Sequence, residues 1–147
     1  MNARLRVFLI VFGLAGISSI IGFVYWRVDY ALKAEMSLHA HLQIFAVLKV
    51  YLRENPGKWP QSWEELEQTA IPEESQRVYR WPDQSAEFRK RIRIDFTLTR
   101  AQVAAMNAHD FTAVQTIGPT FLLYDDEIES LLKVAREKVE MVPEKDK

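Results

Sequence analysis

The sequence predicts an α+β fold: a long N-terminal transmembrane and stalk helix packed on a small antiparallel sheet, with a C-terminal helix. Three observations carry this. No charged residue occurs from Val7 to Trp26. No Gly or Pro interrupts the chain between Gly22 and Pro56. Phe88, Ile92, Ile94, Phe96 and Leu98 fall at even spacing among Arg89, Arg91, Arg93, Asp95 and Thr97. The last pattern has the period of two that a half-buried strand requires.

The uncharged run of about 20 residues matches, at 1.5 Å rise per residue, the roughly 30 Å of a bilayer's hydrocarbon core. Arg4 and Arg6 stand before it and Arg27 after it, with Tyr25 and Trp26 at the far end. The run is too long for the apolar region of a cleaved signal peptide, so a retained signal anchor is expected. The cationic N-terminus places residues 1–6 in the cytoplasm by the positive-inside rule. Residues 7–26 are then the membrane span, and 27–142 an extracytoplasmic domain. The membrane itself is the first expected partner. Ala15, Ser18, Ser19 and Gly22 are small residues at helical spacing, and they mark a face on which a second helix can approach closely.

The helix continues over 27–54. Leu38, Leu42, Phe45, Leu48 and Leu52 share one side, widened by Ile44 and Tyr51, while Glu35, His39, Gln43 and Arg53 fall opposite. Asn55-Pro56-Gly57 ends it, because Asn and Gly suit a C-cap and Pro cannot continue. Ser62 with Glu65 forms a capping box for a short helix to about Ala70. Pro72 to Asp83 reads as irregular. Thr99 with Gln102 opens another helix, and Asp126 with Glu129 a third that turns Ile128, Leu131, Leu132 and Ala135 inward. Phe111–Ile117 and Thr120–Tyr124, around Gly118-Pro119, read as a hairpin. The charged residues 143–147 form a tail.

Composition narrows the functional classes. The 147 residues suffice for one domain. A net charge of −1 argues against a nucleic-acid partner. The absence of cysteine excludes disulfides and thiolate zinc sites. No Gly-rich phosphate loop or nucleophile elbow occurs. His39 and His41, two apart on a helix, point to different sides, and no cofactor or metal is expected. Asp125, Asp126, Glu127 and Glu129 read as acids favouring a helix start. Arg89, Arg91 and Arg93, with Arg77, Arg80, Lys90 and Arg100, form a basic stretch. Its residues Arg89, Arg91 and Arg93 are the candidate anion or partner surface.

Leu48, Tyr51 and Leu52, then Asn55, Gly57, Trp59-Pro60, Ser62 and Leu66, resemble the stretch where the long helix ends in type IV pilins and type II secretion pseudopilins. The order of elements is similar too. The resemblance implies a pilin-like fold and an extracytoplasmic domain. The prepilin processing site and the assembly glutamate of those families are absent. Gly22-Phe23 lies inside the apolar run with Arg27 at the glutamate's position, and Gly13-Leu14 has Ser18 there.

The expected function is therefore a membrane-anchored, non-enzymatic structural or interaction subunit, pseudopilin-like, that self-associates or joins envelope assembly proteins. The alternative is a tethered extracytoplasmic module that binds an anionic ligand or glycan through the basic strand. A third reading is a hydrolase built on His109, Asp110 or Asp125.

Overall fold

The computed structural model describes residues 3–71, 79–120 and 125–137, with side chains from Phe12 onward. The chain divides into two compact units, Met1–Lys33 and Ala34–Lys147.

The first helix, α1 (Ala3–Glu54), runs without a break, as the absence of Gly and Pro after Gly22 predicts. Its end is built by a turn. Pro56 fixes the first central position, Gly57 takes φ +82°, and Lys58 N donates to Asn55 O at 3.2 Å. Positive φ at the third residue is the signature of a type II turn and suits glycine. Open space surrounds the site of a Cβ on Gly57, so backbone conformation alone, and not crowding, selects glycine here.

The remaining elements are short: α2 (Trp63–Glu67), α3 (Ser85–Arg89), β1 (Ile92–Ile94), α4 (Arg100–Ala105), β2 (Val114–Thr116) and α5 (Asp125–Arg136). The Ser62 hydroxyl accepts from Glu65 N, one half of the predicted capping box. The Glu65 carboxylate accepts from Gln61 N at 2.7 Å and from the Tyr51 hydroxyl, tying α2 to α1. The Thr99–Gln102 box is complete in both directions.

β1 and β2 pair antiparallel, Ile92 facing Thr116 and Ile94 facing Val114. The chain is thus an α+β fold with a long N-terminal helix, a two-stranded sheet and a C-terminal helix. The sheet differs from expectation in two ways. The predicted strand over 88–98 contracts to three residues, and Phe88 sits on α3, where it packs against Tyr79 and Trp81. Alternation persists through Leu98, but regular pairing stops after Asp95 N bonds Ala113 O. Val114–Thr116 pairs with β1, where a hairpin with Thr120–Tyr124 is expected; 121–124 lie outside the described residues. Asp126 is also not an N-cap. It lies within the first turn of α5 beside Asp125 and Glu127, where acids complement the helix dipole. Much of the irregular stretch expected from Pro72 and all of the tail 143–147 fall outside the described residues.

Within the second unit, α1 is enclosed on several sides. Tyr51 meets α2, His41 meets β2, Gln43 meets Tyr79, and Lys49 meets α5. Ala40, Ile44, Phe45, Val47, Leu48, Tyr51 and Leu52 form the centre of the core with Trp59, Leu66, Phe88, Ile92, Val103, Leu131 and Leu132. This enclosure corrects the two-sided picture of the stalk: Gln43, expected on the solvated side, is 1 % exposed. The inward set of α5, Ile128, Leu131, Leu132 and Ala135, is buried as predicted.

The membrane assignment is corrected. Among the described residues, no helix is long and apolar enough to cross a membrane. The uncharged part of α1 with described side chains runs from Phe12 to Trp26. Gly13, Gly16, Ser18, Ser19 and Gly22 dilute it, and Arg27, Asp29, Lys33 and Glu35 follow at once. The single-pass location, with the domain across a bilayer, falls with it.

Candidate functional site

Two features of the molecule are left without a structural purpose: an apolar helix surface in the first unit and a group of orphaned polar atoms in the second.

In the first unit, Phe12, Leu14, Ile17, Ile20, Ile21, Phe23, Val24, Tyr25 and Trp26 are all more than half exposed. Val28 and Leu32 continue the surface. Phe23, Trp26 and Tyr30 succeed one another along the helix with ring centroids 6.0 Å apart at each step. Large apolar patches of this kind on a folded chain mark surfaces that other molecules cover. Ala15, Ser18, Ser19 and Gly22, the predicted association face, lie along one side of this helix and are exposed. The Ser19 hydroxyl donates to Ala15 O at 2.9 Å, so a polar group in the middle of that face is turned back onto its own backbone. Open space surrounds the place where a Cβ on Gly22 would stand.

The three arginines of the predicted basic strand do not act together. Arg89 ends α3 rather than standing on β1. Its Nη2 bridges Glu64 at 2.9 Å and Glu67 at 2.7 Å, and its guanidinium covers the Trp63 ring at 5.7 Å. Hydrogen bonds, those from Arg89 among them, hold both carboxyls below their usual range. Arg93 is exposed on β1 and borders an open groove of about 650 Å³ with Asp95, Phe96, Thr97, Thr112 and Gln115. Thr97 donates to the Asp95 carboxylate through its hydroxyl (2.6 Å) and its amide (3.0 Å), which lowers that carboxyl's pKa, Arg93 assisting. Arg91 reaches instead to α1, where Nη2 stands 3.9 Å from Met36 Sδ.

Arg100, grouped by sequence with the basic surface, is 2 % exposed. Its Nε donates to Ala135 O (2.9 Å), Nη2 to Val134 O (2.8 Å), and Nη1 to Leu52 O (2.7 Å). It satisfies late carbonyls of α1 and α5 at once. Arg136 makes the reciprocal tie from α5 to the end of α4, donating to Ala104 O and Met106 O. These are structural positions. The signal that could have found Arg100 is its place directly after the Thr99 cap, on the helix that packs against α5.

Groups with chemical potential are likewise held. Asp110 accepts from the Asn107 amide at 2.9 Å and its own N–H donates to Asn107 Oδ1, a closed loop. His109 is exposed, and Asp125 lies in the first turn of α5. Lys49 Nζ donates to Ser130 Oγ at 3.3 Å beside a groove of about 500 Å³, and pairs with Glu127 at 3.5 Å. An ammonium bridging two acceptors is the reverse of a base drawing a proton from serine. Among the described residues, no three His, Asp or Glu side chains are placed to hold a metal ion. Glu35 and His39 form an i,i+4 pair at 3.8 Å.

Comparison of the chain with protein-family models, with curated proteins and with solved structures gave no match.

Proposed function

We propose that the protein is a non-enzymatic structural or interaction subunit, pilin-like in build, that assembles through the N-terminal part of α1. One observation carries this: the succession of exposed large apolar side chains from Phe12 to Leu32. At about 25 cal/mol for each Å² removed from water, covering even a few of them contributes several kcal/mol. Helices of other copies of the chain are the fitting cover. The small-residue side formed by Ala15, Ser18, Ser19 and Gly22 leaves room for a backbone, while Phe12, Leu14 and Trp26 beside it add apolar area. The non-enzymatic part rests on the state of the polar groups. Arg89, Arg100, Glu65, Asp95 and Asp110 are each engaged in bonds that fix the fold.

Replacing Ser18 and Gly22 by Glu in the full chain tests the assembly, since both changes suit a helix and put charge on the association face. Sedimentation should show wild-type protein as an oligomer and the double variant as a monomer with unaltered circular dichroism. An unchanged size distribution in the variant would reject the reading.

A further inference from the structure

Among the described residues, four of the buried polar atoms that lack any partner belong to one neighbourhood of the second unit: His39 Nδ1, Gln43 Oε1, Tyr79 Oη and Arg91 Nε. Contacts link Gln43, Tyr79 and Arg91, and the helix sets His39 on the same stripe as Gln43. Met36, His39 and Gln43 lie along one stripe of α1, three and four residues apart. Gln43 Nε2 donates to Tyr79 O at 2.8 Å, which fixes the amide so that its oxygen is the orphan. Arg91 touches Met36 on the same stripe. The Tyr79 hydroxyl lies beside the Arg91 guanidinium, too poorly aligned for a full hydrogen bond yet close enough to oppose the upward push of burial on its pKa.

Such orphans are rare in folded proteins, and a cluster of them calls for a bound polar species. The missing partner is anionic. Among the described residues no carboxylate pairs with Arg91 at ion-pair distance. Glu87 senses it from farther away and is itself held by Lys90 at 2.6 Å. His39 turns Nε2 toward Glu35, leaving Nδ1 facing inward. A partly buried guanidinium without a counter-ion is costly unless an anion joins it. Arg91 Nε and the Tyr79 hydroxyl are donors, and so is His39 Nδ1 in the tautomer that carries its N–H there. Gln43 Oε1 is an acceptor and requires the guest to carry a proton as well.

We propose that His39, Gln43, Tyr79 and Arg91 form a binding site for a small protonated oxyanion of the hydrogen-phosphate class. The mixed donor and acceptor set favours hydrogen phosphate over acetate, which has no proton to give to Gln43 when ionised. The four atoms are closed off from solvent, so the guest enters by local opening.

The test follows the thermal midpoint of the full-length protein against inorganic phosphate, with sodium chloride and sodium acetate at matched ionic strength beside it. Phosphate should raise the midpoint saturably, and acetate and chloride should not. Arg91→Met, which retains an apolar stem against Met36, and Tyr79→Phe should each weaken the apparent affinity roughly tenfold, the worth of one lost bond to a charged guest. Arg93→Gln, exposed two residues away, should leave it intact. Equal responses to phosphate and chloride would mean charge screening alone and would overturn the site. So would a phosphate response that survives in both Arg91→Met and Tyr79→Phe. Should Arg91→Met fail to fold, Tyr79→Phe, which removes one oxygen, decides.

Discussion

Arg100→Met is expected to destabilise the second unit by about 3–5 kcal/mol, the usual cost of stranding a buried polar network. Met replaces the buried aliphatic stem but ends about where Nε stands, so the hydrogen bonds and the packing of the guanidinium are lost together. In the folded protein the guanidinium donates to Leu52 O, Val134 O and Ala135 O, with Asn55 O farther at 3.4 Å. Each of these carbonyls is at or just past a helix end, where no intrahelical N–H remains to serve it. Leaving a buried acceptor unsatisfied costs roughly 1–3 kcal/mol, and several are orphaned together. The charge also meets the negative ends of two helix dipoles, a contribution that Met cannot replace. Arg100→Lys should recover only part of the loss, because one ammonium cannot span carbonyls from two helices as a planar fork does. Urea unfolding followed by tryptophan fluorescence measures this. Arg93→Ala, on the exposed face of β1, should stay within about 0.5 kcal/mol of wild type.

The second large effect is a loss of stability in mild acid governed by His41. Its ring is fully buried, set edge-on against Phe45 at 4.5 Å, with Nδ1 bonded to Thr116 Oγ1 at 2.8 Å. Burial lowers its pKa from 6.5 to about 4. Above pH 6.5 the ring is neutral in both folded and unfolded chains, and it imposes no penalty. Between 6.5 and about 4 the unfolded chain binds a proton that the folded one refuses. Stability therefore falls as pH falls through that window, by about 3 kcal/mol in all, since each pH unit between the two values is worth about 1.4 kcal/mol. Carboxyls held below their usual range, including Glu64, Glu65, Glu67 and Asp95, add their own loss at lower pH. The interval from about 6.5 to about 4.5 thus belongs mainly to His41. Unfolding free energies measured across it should fall for the wild type and stay nearly level for His41→Gln. A level profile in the wild type would show that the buried ring takes up its proton without penalty.

Much of the frame is legible in the sequence because it depends on local rules. An unbroken helical stretch, an Asn-Pro-Gly stop, the Thr99–Gln102 box and the apolar stripe of α5 are each decided within a few residues. What stays hidden depends on distant partners. An amphipathic pattern puts Gln43 on a solvated side of α1, but the second unit encloses that helix on several sides. Arg100 reads as surface charge because the carbonyls it serves are 34 to 48 positions away along the chain. The strand pattern of 88–98 is real as alternation, and Ile92 and Ile94 are buried. Pairing does not extend along it because β2 offers only three residues. The arginines at 89, 91 and 93 have the spacing of one face, yet each side chain finds a different environment. Arg89 takes two carboxylates, Arg91 the Met36 stripe of α1, and Arg93 an open groove. The apolar run of the first unit is plain in the sequence, but among the described residues no helix is long and apolar enough for the span it suggests.

Cysteine scanning of the first unit decides whether copies of the chain meet through the small-residue side of α1. The protein has no cysteine, so single cysteines can be placed one at a time from Leu14 to Trp26 without background. Disulfides form between copies only where Cα atoms come within about 7 Å. Efficient oxidation to dimers is expected at Ala15, Ser18, Ser19 and Gly22, with little at Ile17 and Val24 on the opposite side of the helix. Cross-linking that is absent at every position, or equal at all of them, would be incompatible with assembly through that side.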